Sequence, residues 1–295
     1  MRLRLLNLGL RVFVRPMLGL SKSPTRAKWT FDLIGPRLFP GPPLICHLQE
    51  ALGNLTLHWV SVGPVEPRRV ILYFHGGAYF VGSGTAYRGL LGHISKLTGV
   101  RVCAPDYRLL QDAPFPAAFD DAVAAWDALI AKGYRPKDIV LGGDSAGGGL
   151  MLALLTHLIA QGDHPRAAFA MSPWTDLTLS GPSLQTKSEV LLPVSRMDEV
   201  VDRYLCGADR HDPRASPLFA RIERAPPVLI QVGSGEALRD DAVRMADVLA
   251  GAATLKIWED VPHVWQMFVG YIPQARAALT QMARFVHASF ESESR

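Results

Sequence analysis

From residue 55 onward, short apolar segments alternate with segments of helical periodicity. The pattern predicts strands at 54–62, 68–74, 100–105, 138–143, 167–172, 227–233 and 253–259, and helices at 119–133, 146–162, 239–251 and 273–290. Several strands, such as VILYF, are continuous apolar runs, which is typical of strands buried on both faces. Strands that alternate with helices form a mostly parallel sheet covered by helices on both sides, so we predict an α/β fold.

Two regions interrupt this alternation. Residues 1–50 are rich in proline and basic residues, and residues 177–215 have helix-like patterns that are broken by prolines. We therefore expect a core formed by residues 51–176 and 216–295, with the other two regions folded over the sheet.

The composition argues against several classes of protein. The 295 residues include 31 basic and 27 acidic ones, and no basic run is interleaved with aromatic residues, so nucleic acid is not an expected partner. Three widely spaced cysteines and nine histidines form no metal-ligand motif, so we expect neither a metal nor another cofactor. An odd number of cysteines also disfavours a disulfide framework, and reduced thiols suit a cytoplasmic protein.

The first 20 residues, MRLRLLNLGLRVFVRPMLGL, are both apolar and basic. Arg11 and Arg15 interrupt the apolar run, and no small-residue cleavage site follows, which disfavours a signal peptide. No other segment approaches the roughly 20 apolar residues of a membrane-spanning helix, so stable membrane insertion is not expected. We expect an amphipathic helix that packs on its own protein. The alternative is a helix that makes weak contact with a membrane surface.

The segment GDSAG at 143–147 matches G-x-S-x-G and lies between a predicted strand and a predicted helix. This sharp turn strains the backbone of the serine. The first and last residues of the motif must be glycine, because side chains there would prevent the strand and the helix from passing each other. A glycine-rich phosphate-binding turn is the alternative, but neither a Lys–Ser/Thr pair nor G-x-G-x-x-G follows the strand. We predict that Ser145 is a nucleophile and that Asp144 orients the turn.

A serine nucleophile needs N–H donors for the oxyanion. The segment HGGAYF follows the strand at 68–74, and its glycines allow the chain to turn its amides inward. We expect the oxyanion to be bound by the backbone N–H groups of Gly77, Ala78 and Ala146. His75 and Gly76 complete the motif, and we expect His75 to hold the loop by hydrogen bonds rather than to act as a base.

The general base is expected late in the chain, after the last strand. His263 lies there, in EDVPHVWQMF, and is the predicted base. The acid that orients it should follow the preceding strand, where Glu236 is nearest the strand end. Asp240 is the alternative, but it lies about one turn further along, where acidic residues commonly charge a helix N-terminus.

In this order, the motifs resemble the hormone-sensitive lipase family of α/β-hydrolases, the bacterial family IV esterases. The resemblance rests on HGGAYF, PDYRLLQDAPFPAAFDDA, GDSAGG, ASPLFA, PPVLIQVGSGEALRDDA and VPHVWQMF. Within the family, the chain is most similar to small carboxylesterases and monoterpene-lactone-hydrolase-like members. It departs from the family pattern at Ala78, at 110–112, where the family has A-P-E, and at Glu236, where the family has aspartate.

The resemblance implies an eight-stranded sheet and a helical cap built from residues 1–50 and 177–215. It makes the apolar N-terminus one wall of a substrate pocket. Four further apolar residues are candidates for the pocket, although apolar residues belong by default to the core: Tyr79, Phe80, Trp174 and Leu191. Pairing of an exposed terminal strand or helix into a homodimer is left open.

These features predict a serine carboxylesterase that acts, without a cofactor, on a small-molecule ester through an acyl-enzyme intermediate. We expect short- to medium-chain esters, with lactones as a further class. The same side chains would serve an amide-directed hydrolase, such as a deacetylase or an arylformamidase. A non-catalytic small-molecule-binding protein of this fold is a third hypothesis, but it would be expected to have lost one of the three catalytic residues.

Overall fold

A computed structural model describes residues 1–20 and 23–291. In this part of the chain, eight strands form one sheet: β1 Ile45–Leu52, β2 Leu55–Val62, β3 Val70–Phe74, β4 Arg101–Pro105, β5 Ile139–Asp144, β6 Ala167–Met171, β7 Val228–Gly233 and β8 Ala253–Trp258. The spatial order is β1-β2-β4-β3-β5-β6-β7-β8. Strand β2 is antiparallel to both β1 and β4, and the other neighbours are parallel. The prediction of a mostly parallel eight-stranded sheet is confirmed.

The helices are α1 Arg2–Gly9, α2 Arg15–Leu20, α3 Pro24–Leu38, α4 Arg88–Thr98, α5 Ala117–Ala131, α6 Ser145–Ala160, α7 Met197–Leu205, α8 Arg239–Val248 and α9 Pro273–Glu291. A π-helical stretch, Leu10–Val14, joins α1 to α2, so that residues 2–20 form one continuous helical segment. No helix in the described part of the chain is long and apolar enough to cross a membrane.

The central strands are buried because helices cover both faces of the sheet. Every residue of β3, β5, β6 and β7 is buried. Side chains alternate between two apolar cores: Leu72 belongs to the core with α5, α6 and α8, whereas Ile71 belongs to the core with α4 and α9. This two-sided burial explains why the strands are uniformly apolar rather than alternating.

Strand β1 and helix α4 are among the elements that the sequence prediction lacked. Strand β1 includes residues 45–50, which corrects their assignment to the cap. It is an edge strand with no buried residue, so its hydrophobic pattern is weak. Helix α4 contains Gly89, where an added Cβ would overlap the carbonyl oxygen of Phe39. Glycine is required by this close approach, and it weakens the helical pattern.

We call residues 1–44 and 177–215 the cap segments. The second segment was predicted to be helix-like, but it contains one α-helix, α7, and short 3-10 turns. The two segments contact each other: Arg15 donates to the carbonyl oxygen of Glu189 at 2.9 Å, and Arg196 donates to that of Gly19 at 2.6 Å.

Candidate active site

The candidate nucleophile lies at the junction of β5 and α6, where the strand ends at Asp144 and the helix begins at Ser145. Ser145 has a φ of +51°, in the left-handed region that non-glycine residues rarely adopt. An added Cβ on Gly143 would overlap the backbone of Gly147, and one on Gly147 would overlap the carbonyl oxygens of residues 74 and 75. The two glycines therefore allow the close crossing that holds the serine in its strained turn.

A continuous chain of hydrogen bonds joins three side chains from three loops at the carboxyl edge of the sheet. Ser145 Oγ lies 2.9 Å from His263 Nε2, and His263 Nδ1 lies 2.7 Å from Glu236 Oε2. All three side chains are buried. Because an ionised carboxylate only accepts hydrogen bonds, Nδ1–H donates to Glu236, and Nε2 is left to accept from the serine hydroxyl. This is the arrangement needed for a base that removes the serine proton.

Glu236 is held in place by a second set of contacts. Its Oε1 accepts from the backbone N–H of Gly233 at 2.6 Å and from the hydroxyl of Ser172 at 2.8 Å. Ser172 Oγ also accepts from the backbone N–H of Val264 at 3.2 Å. Ser172, which directly follows β6, thus connects the loop that contains Glu236 to the loop that contains His263.

The alternative acid, Asp240, makes different contacts. It accepts from the backbone N–H of Ser183 at 2.7 Å and pairs with Arg239. Its neighbour Asp241 is buried and accepts from the N–H groups of Thr175 and Asp176, and burial raises its pKa to about 7. Among the described carboxylates, Glu236 is the one hydrogen-bonded to His263.

The surroundings of His263 stabilise its protonated, positively charged form. Burial works against the charged imidazole, but the hydrogen bond and negative charge of Glu236 outweigh it, so the pKa of His263 is raised above its ordinary value. Burial also raises the pKa of Glu236, while the hydrogen bonds from His263 and Gly233 favour its ionised form. The pair can therefore stabilise the imidazolium that forms when Ser145 loses its proton.

The loop after β3 lies against the serine, since an added Cβ on Gly76 would come 3.0 Å from Ser145 Cβ. Three successive residues of this loop have a positive φ: Gly77 at +120°, Ala78 at +52° and Tyr79 at +61°. In the described structure, the backbone N–H groups of Gly77, Ala78 and Ala146 have no hydrogen-bond acceptor. The three predicted donors are thus available close to the candidate nucleophile.

His75 holds this loop from behind. Its ring stacks on Tyr107 with centroids 4.5 Å apart, and its Nδ1 lies 2.8 Å from the carbonyl oxygen of Gly76. The Tyr107 hydroxyl donates to the carbonyl oxygen of His75 at 2.7 Å. Burial lowers the pKa of His75, which favours the neutral ring. These contacts agree with a structural role for His75.

The departure from the family pattern at 110–112 supports the same loop. The backbone N–H of Leu110 donates to the carbonyl oxygen of Tyr79 at 2.8 Å, and the Gln111 amide donates to that of Phe80 at 3.2 Å. The Gln111 side chain thus anchors the carbonyl group of Phe80, whereas the contact of Leu110 is made by its backbone and does not depend on the altered side chain.

Asp144 lies beneath the turn rather than at the reacting atoms. Its carboxylate accepts from the hydroxyls of Tyr73 at 2.7 Å and Tyr87 at 3.0 Å, and from the N–H of Gly76 at 3.0 Å. Burial raises the pKa of Asp144 to about 6. The carboxylate therefore links the serine turn to the loop after β3, as expected for a residue that orients the turn.

The four pocket candidates divide into two kinds. Tyr79 and Trp174 are buried in the main core, and Tyr79 stacks on Tyr204 of α7 with centroids 3.9 Å apart. Phe80 and Leu191 are only half-buried and keep surface for a ligand. The assignment of all four residues to a substrate pocket stays a prediction. Phe80 and Leu191 fit this assignment better than the two buried residues, because part of their surface is open.

The sequence prediction missed Ser172 and Glu189. Ser172 directly follows a buried strand, which is a position typical of functional residues in parallel sheets, so a signal was present. Glu189 is a buried carboxylate in a cap segment that has no regular pattern. It accepts from the backbone N–H of Ala237, next to Glu236, at 2.9 Å, and from those of Leu191 and Leu192. It therefore fastens the cap to the loop of the acid.

Comparison with known proteins supports one family. A family model described as the alpha/beta hydrolase fold matches residues 71–267. An acetyl-hydrolase of Streptomyces hygroscopicus is 38% identical over 260 residues, which span 82% of this chain and 87% of that protein. An esterase of Acinetobacter venetianus is 32% identical over 283 residues, spanning 94% and 93% of the two chains.

The structural comparison agrees with the sequence comparison. A crystal structure of an esterase from the bacterial hormone-sensitive lipase family matches with a TM-score of 0.90 and 33% identity, and 98% of each chain is covered. The cap segments are therefore included in the similarity, as well as the sheet. The chain belongs to the α/β-hydrolase family and, within it, to the bacterial hormone-sensitive lipase esterases, which are carboxylic ester hydrolases.

Proposed function

We propose that this esterase cleaves short- to medium-chain carboxylic esters, with Ser145 as nucleophile, His263 as general base and acid, and Glu236 as the carboxylate that orients the imidazole. The observation that carries the proposal is the hydrogen-bond chain from Ser145 Oγ through both nitrogens of His263 to Glu236. Each member meets the distance required for proton transfer or for orientation of the base.

In the acylation half, Ser145 Oγ attacks the ester carbonyl carbon while its proton passes to His263 Nε2. The carbonyl oxygen gains the negative charge and is bound by the N–H groups of Gly77, Ala78 and Ala146. Each such donor contributes roughly 2.7–4 kcal/mol to lowering the barrier in related chemistry. The bond from the carbonyl carbon to the alcohol oxygen then breaks, and His263 returns its proton to the departing alcohol.

In the deacylation half, a water molecule takes the place of the alcohol. His263 removes a proton from the water as its oxygen attacks the acyl carbon, and the same three N–H groups bind the second oxyanion. The bond from the acyl carbon to Ser145 Oγ breaks, and His263 gives its proton back to the serine. A carboxylic acid leaves, and the enzyme returns to its starting state.

The choice of short esters is supported by the relative named an acetyl-hydrolase, at 38% identity. The test is hydrolysis of p-nitrophenyl esters from acetate to laurate, with a matching p-nitroanilide series. We expect the highest kcat/KM on the short and medium esters and little turnover of anilides. Preference for the anilides would favour an amide-directed hydrolase, and the highest kcat/KM on laurate would contradict the proposed chain length. A lactone panel tests the further substrate class.

Removal of the Glu236 charge should alter the pH dependence. The base must be neutral to accept a proton, so kcat/KM falls as the pH drops through the pKa of His263. Glu236 raises that pKa, so Glu236→Gln should move the acidic limb to lower pH, by about 1–3 units, and lower kcat about 10⁴-fold. The measurement is a kcat/KM profile over pH on p-nitrophenyl acetate, corrected for spontaneous hydrolysis.

Asp240→Asn is the matched control for that experiment, since Asp240 is a nearby carboxylate bound to Arg239 and Ser183. It should leave the acidic limb where it is. If Asp240→Asn moved the limb and Glu236→Gln did not, the assignment of the acid would be wrong.

A further inference from the structure

The N-terminal cap segment has an unusually apolar surface. In the described part of the chain, fifteen large apolar side chains are exposed, and eleven of them lie within residues 1–44. Isolated exposed apolar residues are normal, but a concentration of this kind marks an interaction surface.

The helical segment 2–20 is apolar on two sides. On the inner side, Leu3 and Leu6 pack against the cluster around Trp265, and Leu10 is buried. A second stripe is exposed, with spacings of four, three and four residues on one side of the helix. Its members are Met1, Leu5, Leu8 and Val12. Phe13 and Met17 are also exposed and lie one turn apart. We call the stripe of Met1, Leu5, Leu8 and Val12 the outer face.

The helix is fixed to the rest of the protein by its polar side chains. Asn7 donates to the carbonyl oxygen of Asp260 at 2.7 Å, in the loop that carries His263. Arg11 donates to the carbonyl oxygen of Lys187 at 3.1 Å, and Arg15 donates to that of Glu189. The outer face is therefore presented on an anchored helix at the same end of the sheet as the reacting side chains.

Charge distinguishes between the partners that could cover this face. Residues 1–31 contain no acidic residue, whereas Arg2 and Arg4 are exposed on the same helical segment. A second copy of the segment would bring arginines against arginines, with no carboxylate within the segment to pair with them. An anionic lipid surface offers both an apolar interior for the leucines and negative headgroups for the arginines.

We propose that the outer face docks the enzyme on an anionic lipid surface, with the helical segment 2–20 lying in the plane of the interface. Leu5, Leu8 and Val12 enter the acyl boundary, and Arg2 and Arg4 reach the headgroups. The loop of His263, bound to Asn7, is then held close to the lipid, so esters dissolved in it are within reach of the site. The docking itself does not depend on the catalytic assignments.

The test is co-sedimentation of the full-length protein with vesicles, without substrate. We expect binding to vesicles of equal parts phosphatidylcholine and phosphatidylglycerol, weakened by salt, and little binding to phosphatidylcholine alone. Leu5→Glu should weaken binding at least about tenfold, and the pair Arg2→Gln and Arg4→Gln about thirtyfold. Leu48→Glu on β1 is the matched control, because Leu48 and Leu5 are each 62% exposed; it should bind as the wild type does.

Three results would overturn the proposal. The first is an absence of binding to the anionic vesicles at low salt. The second is equal binding by the Leu5→Glu and Leu48→Glu variants, or unchanged binding by the arginine pair. The third is a wild-type dimer without lipid that Leu5→Glu converts to a monomer, since a second copy would then occupy the face.

Discussion

Ser145→Ala should reduce kcat on p-nitrophenyl acetate about 10⁶-fold. In a catalytic triad, removal of the nucleophile alone lowers kcat about as much as removal of all three residues. The alanine keeps the turn but removes the oxygen that forms the acyl-enzyme. The fold should not suffer, because within residues 1–20 and 23–291 the hydroxyl makes one hydrogen bond, to His263. The measurement is initial rate at saturating ester, together with the thermal unfolding midpoint of the variant.

Ser195→Ala is the matched control for this substitution, since Ser195 is exposed on the cap. Its turnover should equal that of the wild type. A second readout is an organophosphonate probe of serine nucleophiles, which should label the wild type and the Ser195 variant but not the Ser145 variant. If the folded Ser145→Ala variant kept even a hundredth of the wild-type rate, another residue would be the nucleophile.

His263→Ala should lower kcat by about the same factor, 10⁶, because the serine then has no base and the alcohol no acid. The decisive measurement is the double variant. Since Ser145 and His263 act as a unit, removal of both should cost about as much as removal of either alone, rather than the product of the two losses. The rates are compared on the same ester at the same pH.

His287→Ala serves as the control for the histidine, because His287 is exposed on α9 and its hydrogen bond within the described residues is to the backbone carbonyl of Leu97. It should retain full activity. Losses that multiply in the double variant would show that Ser145 and His263 contribute independently, which is incompatible with the proposed proton transfer between them.

Much of the core fold follows from the sequence, because burial on both faces leaves a simple pattern. Segments such as 70–74 and 139–144 have helices on either side and so can contain almost only apolar residues or glycine. The composition of strand β1 is less restricted. The strand lies at the edge with one neighbour and no buried residue, so its composition is free to vary and gives little signal.

The candidate catalytic residues could also be selected from the sequence, since chain order and turn chemistry restrict them. The crossing of β5 and α6 demands glycines around Ser145, and the parallel strands bring the loops of Glu236 and His263 to one edge. The residues that hold these side chains in place were harder to predict from the sequence. Glu189 reaches the backbone N–H of Ala237 from a segment that is 48 residues away in the chain, and no local pattern encodes such a contact.

The outer face also depends partly on the sequence alone and partly on the tertiary structure. The sequence by itself determined that residues 1–20 are helical, apolar and basic, because composition and spacing are local properties. Only the tertiary structure decided which leucines turn inward and which remain exposed, because both sides of this helix are apolar and the pattern alone cannot distinguish them. The sequence likewise indicated which side chains are the candidates for catalysis, through the turns that they require. The distances that bring them into hydrogen-bond contact depend on packing between elements far apart in the chain, and so belong to the fold as a whole.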